Sequence, residues 1–306
     1  MNSIISDAEV ATFQTVKKIH AKGRKGGIVL KSPEEKYEEN IPKFRATILR
    51  SDMLAELKEV LNTKKITHIR CLALGNFMDD TPATYQFALL LELIQWLESK
   101  LQDTNKSFSK ESANGQENIE KEVFISVYDP IFTQQEKQHL TNLNKHNPGQ
   151  TWSIDDHNVW PDLDSSRVLY FLPHADLELT EYIIKHDHPQ LLLGNHIVQH
   201  TDRFTSRQLF ETFPHLSKLK SVLDVKTAVP IDDGFQTQQK PNHKRRNRRN
   251  KAGSQLALAQ ADQIDYSQLD TYFKKCVILC DFKNGLSLRD HPWQNAFSDL
   301  TLHFIE

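Results

Sequence analysis

The stretch EVFISVYDPIFTQQE, residues 122–136, predicts a buried strand that ends on a charge and leads into a helix. Its β-branched and aromatic residues favour a sheet interior, where a charge is costly. We therefore expect Asp129 at the point where the strand leaves the core. The proline after it has no N–H for a strand ladder and disfavours helix in the preceding residue. Thr133 and Glu136 form a capping box that opens the next helix.

The same order of strand and helix recurs along the chain. Patterns typical of buried strands are HIRCLALGN (68–76), RVLYFLPH (167–174) and QLLLGNH (190–196). Helix patterns follow from Thr81 to about Leu97 and from Asp176 to about Lys185. The alternation predicts an α/β fold, a Rossmann-like and mostly parallel sheet with helices on both faces. Further strand candidates are SVLDVKTAV (221–229), KKCVILCDF (274–282) and DLTLHFIE (299–306).

The predicted α/β domain spans residues 66–306 and follows an N-terminal helical extension, residues 1–65. Within the extension, SDMLAELKEVL (51–61) predicts a helix with Ser51 as its cap and one apolar face. We expect it to pack on the sheet. Polar segments without period predict disordered insertions near 103–121 and 230–262.

Composition is that of an ordinary globular protein. The chain has 306 residues, 38% of them hydrophobic and 25% charged, enough for one large domain or two small ones. Its three cysteines form no CxxC pair, which favours a reducing compartment. The N-terminus lacks a signal-peptide pattern, and the longest apolar run, residues 87–97, is too short to span a bilayer. We expect a cytoplasmic and nuclear protein without a membrane partner.

One segment holds much of the basic charge. Six of the 38 Lys and Arg residues lie in HKRRNRRNK (243–251), which leaves the rest of the chain acidic. Such a cluster suits a nuclear import signal, a solvated loop or contact with nucleic acid. The lack of interleaved aromatic residues disfavours nucleic acid as a partner. The import candidates are Lys244, Arg245, Arg246, Arg248, Arg249 and Lys251.

Polar residues beside glycine or proline end four of the predicted strands. In a parallel sheet these ends share one edge, and ligands bind there at the point where the strand order reverses. The same residues are also ordinary turn formers and helix caps, so a structural role remains open. The four ends are Gly75-Asn76, Asp129-Pro130, Pro173-His174 and Gly194-Asn195-His196.

Familiar catalytic and cofactor signatures are missing from the sequence. Neither a GxGxxG turn nor a P-loop follows a strand, and no GxSxG elbow occurs. His196 and His200 have the i, i+4 spacing of metal ligands on a helix, but no acid accompanies them as in HExxH. We expect no metal site, and the sequence identifies no cofactor.

The succession CLALGN, TYQFALLLEL, VYDPIFTQQE, LYFLPHADLEL and LLLGNH resembles the sensitivity-to-red-light-reduced (SRR-like) family over roughly residues 66–215. The resemblance implies regulation in circadian-clock input, haem synthesis or microtubule-related processes, and it brings no established catalytic activity. Departures from the family pattern are Ala73 for a frequent glycine, Ala175 for cysteine and His196 for serine. Residues on the family pattern are Gly75, Gln86, Asp129, Pro130, Glu136, Pro173, His174, Gly194 and Asn195.

Two functional hypotheses follow. The first is a non-enzymatic regulator whose strand-end crevice binds a small ligand or an unidentified protein partner. The expected ligand set is Gly75, Asn76, Gln86, Asp129, Pro173, His174, Gly194, Asn195 and His196. The alternative is a transferase or hydrolase acting on a nucleotide-like substrate. In it Asp129 would bind ribose hydroxyls or act as a base, His174 would be the acid–base group, and Asn76 and Asn195 would orient the substrate.

Overall fold

The computed structural model describes residues 31–108, 122–154, 163–224 and 264–306. Its described residues from Ser32 onward belong to one compact unit. Most of both predicted insertions and the whole basic run lie outside the described residues. The predictions of disorder and of an import signal in these parts therefore remain predictions.

The helices of the described residues lie before and between the strands in chain order. Two single turns of 3-10 helix span Ser165–Arg167 and Leu286–Leu288. The α-helices are α1 (Pro33–Leu49), α2 (Asp52–Leu61), α3 (Thr81–Phe108), α4 (Gln134–His146), α5 (Leu177–His186), α6 (Ile197–His200), α7 (Ser206–Thr212), α8 (Pro214–Val222) and α9 (Gln294–Phe297). The strands are β1 (His68–Leu72), β2 (Val123–Tyr128), β3 (Gln150–Ile154), β4 (Val168–Leu172), β5 (Leu191–Asn195), β6 (Leu223–Asp224), β7 (Cys276–Cys280) and β8 (Leu300–Ile305).

The strands form one sheet in the order β3-β2-β1-β4-β5-β8-β7-β6. All neighbours are parallel except β8, which runs antiparallel to both β5 and β7. The predicted mostly parallel α/β sheet is thus confirmed. Chain order reverses at β1, since β2 and β3 lie on one side of it and β4 and β5 on the other. This reversal is the switch point of a Rossmann-like sheet.

Helices cover both faces of the sheet. Ile69 and Ile125 belong to a core cluster with apolar residues of α2, α3 and α4. On the other face, Leu172 and Leu192 join a second cluster with α5 and α8. Successive strand residues alternate between these two clusters, as the pleat of a strand requires.

Local capping signals fix several helix starts where the sequence predicts them. Thr133 and Glu136 form the expected capping box at α4. Asp176 accepts a hydrogen bond from the backbone N–H of Leu179 at 2.7 Å and caps α5. Ser51 caps α2 in the same way. Each such cap contributes about 1 kcal/mol to helix stability.

The N-terminal helices are present, and α1 packs against α3. The rings of Phe44 and Tyr85 stack with their centroids 3.8 Å apart. Arg45 forms an ion pair of 2.6 Å with the buried Glu92. These contacts join α1 directly to the helix that follows β1.

Three parts of the described fold differ from the sequence prediction. Helix α3 continues to Phe108, beyond the expected end and into the predicted insertion at 103–121, because no glycine or proline interrupts it there. In the stretch 221–229, α8 continues to Val222 and β6 has only two residues, while 225–229 lie outside the described residues. Strand β3 and helices α6 to α9 were not predicted. None of the described helices is long and apolar enough to cross a membrane.

Candidate functional site

Four strand ends with polar residues lie side by side at the carboxyl edge of the sheet. Across that edge the order is β2, β1, β4 and β5, so Asp129, Asn76, His174 and Asn195 follow one another. Neighbouring strands are about 4.8 Å apart, which makes this row about 14 Å long. The structure therefore brings the four predicted ends together, with β1 and β4 at its centre.

Asp129 is engaged by backbone groups on both of its carboxylate oxygens. It is only 6% exposed. Its Oδ2 accepts a hydrogen bond from Gly75 N at 2.8 Å, and its Oδ1 accepts one from Ile131 N at 3.0 Å. A buried carboxylate needs such partners, and these bonds are charge-assisted. Asp129 thus stabilises both its own turn and the loop after β1, and this role is structural.

The loop after β1, residues 73–80, contains two left-handed backbone positions. Ala73 has a φ of 54° and Gly75 a φ of 81°. Glycine adopts this region without steric cost, whereas alanine does not. The loop geometry at position 73 therefore favours glycine, which is the residue that the resembled family often has there. A Cβ at Gly75 would also lie 3.3 Å from the Cβ of Ala83.

Glu136 holds the same loop from the other side. The side chain is fully buried. It accepts hydrogen bonds from Thr133 N at 2.8 Å and from Met78 N at 3.2 Å. Its capping role in α4 is thereby combined with a contact to the β1 loop. Two buried acids, Asp129 after β2 and Glu136 in the first turn of α4, thus position that loop.

The ends of β4 and β5 are tied to each other. The Asn195 amide donates to the carbonyl of Ala175 at 2.9 Å and lies 2.9 Å from Nδ1 of His200. A Cβ on Gly194 would lie 3.0 Å from the carbonyl oxygen of Leu172, so this position requires a close backbone approach. Asn195 and Gly194 thus have clear structural reasons for their identity.

Between β1 and β4 the arrangement is different. No hydrogen bond joins loop 73–80 to loop 173–176 within the described part of the chain. His174 is exposed beside the buried Pro173, and Asn76 is half-buried. The Asn76 Oδ1 accepts from Asp79 N at 3.0 Å, which leaves its amide nitrogen without a described partner. Polar groups of loops 73–80 and 173–176 therefore flank the switch point, and we call this part of the sheet edge the β1/β4 crevice.

The two helix N-termini beside the β1/β4 crevice carry their own carboxylates. Asp80 Oδ2 accepts from Ala83 N at 3.2 Å in the first turn of α3, and Asp176 caps α5. A helix N-terminus attracts anions because its N–H groups are unpaired. Here each aspartate side chain accepts from one of these N–H groups, and its negative charge disfavours a second anion at the same place.

Two residues of the expected ligand set lie apart from the crevice contacts. Gln86 is fully buried in α3, and its amide donates to the carbonyl of Ala296 at 2.8 Å. His196 has a buried Nδ1 without a partner among the described residues. Its ring centroid lies 6.1 Å from that of His303, a buried residue of β8 that the sequence patterns did not single out.

Burial controls the chemistry of the two histidines. Desolvation lowers the pKa of His196. Desolvation also lowers the pKa of His303 to about 3, and the neighbouring His196 adds to the effect. Both rings are therefore neutral at physiological pH. Within the described ranges, no group of three or more His, Cys, Asp or Glu side chains has a geometry that could hold a metal ion.

Comparison with known protein families gives a match over most of the chain. The family model of the SRR1 domain matches residues 53–304, which include most of α2, all four strand ends and most of β8. No curated protein and no solved structure matches the chain. Because the matched region covers most of the 306 residues, the chain belongs to the SRR1 domain family.

Proposed function

We propose that this protein is a non-enzymatic regulator that binds a small ligand or a segment of a protein partner in the β1/β4 crevice. The observation that carries the proposal is that polar groups of loops 73–80 and 173–176 flank the switch point of the sheet, while no hydrogen bond among the described residues joins the two loops. In open α/β sheets ligands bind at this location. The exposed His174 and the amide of Asn76 would contact the ligand, while Asp129 and Asn195 hold the flanking loops.

The chemistry of the crevice limits the kinds of ligand that could bind there. Asp80 and Asp176 occupy the two helix N-termini that would otherwise bind a phosphate. A neutral or cationic polar group, such as an amide, an amine or a basic side chain, suits the negative charge of these two aspartates better than a phosphate does. The pathways implied by the family resemblance, circadian-clock input, haem synthesis and microtubule-related processes, are the settings in which we propose such regulation.

An enzymatic role has weaker support. It would require Asp129 as a base near His174. Their strands flank β1, so the two strand ends are separated by about 10 Å. Both oxygens of Asp129 already accept backbone hydrogen bonds. These contacts favour a binding role over acid–base catalysis by this pair.

A thermal-shift panel tests the proposal. The wild-type protein is screened against nucleotides, S-adenosylmethionine, nicotinamide cofactors, haem and a set of small amines and basic peptides. His174→Ala and Asn76→Ala are the test variants. His186→Ala is the control, since this exposed histidine ends the helix whose other end lies beside the crevice. A compound that stabilises the wild type and the control but neither test variant supports the proposal, because ligand binding raises apparent stability.

The same panel can contradict the proposal. Equal stabilisation of the His174→Ala and Asn76→Ala variants would place the binding site elsewhere. Turnover of a nucleotide-like compound that is lost in Asp129→Asn, at a temperature where this variant stays folded, would favour the enzymatic alternative.

We further propose that residues 244–251 act as a nuclear import signal of a protein found in cytoplasm and nucleus. Six cations within these eight residues support the idea. Replacing all six by glutamine should reduce the nuclear fraction of a fluorescent fusion. An unchanged distribution would contradict the import role.

A further inference from the structure

A polar cavity lies between the N-terminal helix α1 and helix α4. Its volume is about 280 Å³, slightly below the range of about 300 to 1,000 Å³ that is typical of pockets for drug-sized ligands. A cavity of this size suits one side chain or a small molecule. We call it the α1/α4 cavity. The residues that line it include Glu34, Tyr37 and Glu38 of α1 and Gln135, Gln138 and His139 of α4.

A partly buried hydrogen bond joins the two helices that form the α1/α4 cavity. Tyr37 is only 4% exposed, and its hydroxyl lies 2.9 Å from Nε2 of His139. The two rings meet edge to face, with their centroids 5.0 Å apart. Burial lowers the pKa of His139, and the charge of Glu38 opposes this effect only in part. The imidazole is therefore neutral at physiological pH and does not repel a cation.

The two carboxylates of the α1/α4 cavity have no counter-ion. Glu34 and Glu38 are one turn apart on α1, at the i, i+4 spacing that places side chains side by side. Neither side chain forms an ion pair or a hydrogen bond within the described part of the chain, and no lysine or arginine is among the described residues that line the cavity. Like charges at this spacing repel each other. A cation bound between them would relieve that repulsion.

Helix α4 supplies neutral hydrogen-bond acceptors to the same cavity. The amide side chains of Gln135 and Gln138 make no hydrogen bond with another residue that the structure describes, so their oxygens are available to a ligand. The acids and the histidine of the cavity do not form a metal site, because no group of three or more such side chains in the described ranges could hold a metal ion. The cation that suits the cavity is therefore organic and carries several hydrogen-bond donors.

We propose that the α1/α4 cavity binds the guanidinium group of an arginine side chain from a protein partner. The guanidinium has five N–H donors in a planar fork and stacks on aromatic rings, whereas an ammonium is a compact and strongly hydrated charge. Its N–H groups donate to the carboxylates of Glu34 and Glu38 and to the amide oxygens of α4. The proposal does not rest on the β1/β4 crevice. Met78 of loop 73–80 also lines the α1/α4 cavity, but the groups that bind the cation lie on α1 and α4.

N-acetyl-arginine amide is the probe for this site, and N-acetyl-citrulline amide is its neutral counterpart of the same shape. We expect saturable, millimolar binding of the arginine probe alone, seen as a shift of the imidazole resonances of His139. Glu34→Gln and Glu38→Gln should each weaken binding about threefold, and the double variant about tenfold, because each removes a charged partner at an exposed position. Glu59→Gln, the same change at an exposed position of α2, is the matched control and should bind as the wild type does.

Several results would overturn the proposal. One is the absence of saturable binding up to about 50 mM of the arginine probe, a range in which even weak specific sites respond. Equal binding of the citrulline probe or of N-acetyl-lysine amide would contradict recognition of a guanidinium, and tighter binding of spermidine would identify a small polyamine as the ligand. Unchanged affinity in the double variant, or lost affinity in His174→Ala, would place the probe elsewhere. Glu34 and Glu38 are exposed, so their replacement should leave the fold intact.

Discussion

Gly75 N donates a 2.8 Å hydrogen bond to Oδ2 of Asp129, and this bond joins the loop after β1 to the end of β2. The second oxygen of Asp129 accepts from Ile131 N in its own turn. A carboxylate at the edge of the core thus organises two loops. The polar groups beside the switch point are held in place by this acid, by Glu136 and by Asn195.

Asp129→Asn should lower the free energy of unfolding by about 2 kcal/mol, because it weakens two charge-assisted hydrogen bonds in a buried place. Urea unfolding measures the change. Asp79→Asn is the control, since Asp79 is exposed and its ion pair with Lys36 is on the surface. We expect a change within about 0.5 kcal/mol there. Equal stability of Asp129→Asn and the wild type would contradict the structural role.

Ala73→Gly should stabilise the protein by about 1 kcal/mol. Ala73 has a φ of 54°, a conformation that glycine adopts without the steric cost of a Cβ. Ala46→Gly, at an exposed position within α1, should have the opposite effect by about 1 kcal/mol. Thermal unfolding of both variants gives the comparison. If both substitutions destabilise the protein, position 73 is not held in the left-handed region.

Gly194→Ala should destabilise the protein by about 1 to 3 kcal/mol. The added Cβ would lie 3.0 Å from the carbonyl oxygen of Leu172, so the paired strands β4 and β5 would have to separate. Chemical unfolding measures the loss. A variant as stable as the wild type would show that these strand ends adjust easily.

The stability of the fold should depend on the neutral form of His303. Its pKa in the folded state is lowered to about 3 by burial, whereas an unfolded histidine titrates near pH 6.5. The unfolded chain therefore binds more protons between these values. The stabilising effect of the neutral His303 side chain is therefore present above about pH 6.5, and it is lost progressively as the pH falls towards 3. From pH 7 to pH 5 the loss should be about 2 kcal/mol.

His303→Leu tests this dependence. Urea unfolding at pH 7 and pH 5 should show a loss on acidification smaller by about 2 kcal/mol in the variant than in the wild type. Leu209→Ala, which removes a buried side chain of α7, should lower stability equally at both pH values. An identical pH dependence of the wild type and His303→Leu would contradict the assignment.

Local chemistry explains why much of the fold was predictable from the sequence. The caps at Thr133, Ser51 and Asp176 set the helix starts through hydrogen bonds between residues only three positions apart in the sequence. Strand β3 was missed because it is short and half-buried, with polar and apolar residues mixed. No local sequence pattern predicts that β8 lies between β5 and β7, because this position depends on strand pairing across the sheet.

The candidate site was predictable in position but not in atomic detail. Parallel topology alone brings the four strand ends to one edge. The engagement of Asp129 by Gly75 N depends on a left-handed loop, which no residue pattern specified. Gln86 was suggested by family resemblance and lies in the core against α9. His303 lies within an apolar strand pattern, and its burial shows only in the packed sheet.

Hydrogen–deuterium exchange tests the central claim, binding at the β1/β4 crevice, most directly. The protein is measured with and without the most strongly stabilising compound or basic peptide from the thermal-shift panel. We predict slower exchange in peptides covering residues 73–80 and 173–176, with little change in the β2 turn at Asp129, whose contacts are already formed. Protection confined to other segments, with both loops unchanged, would contradict the claim.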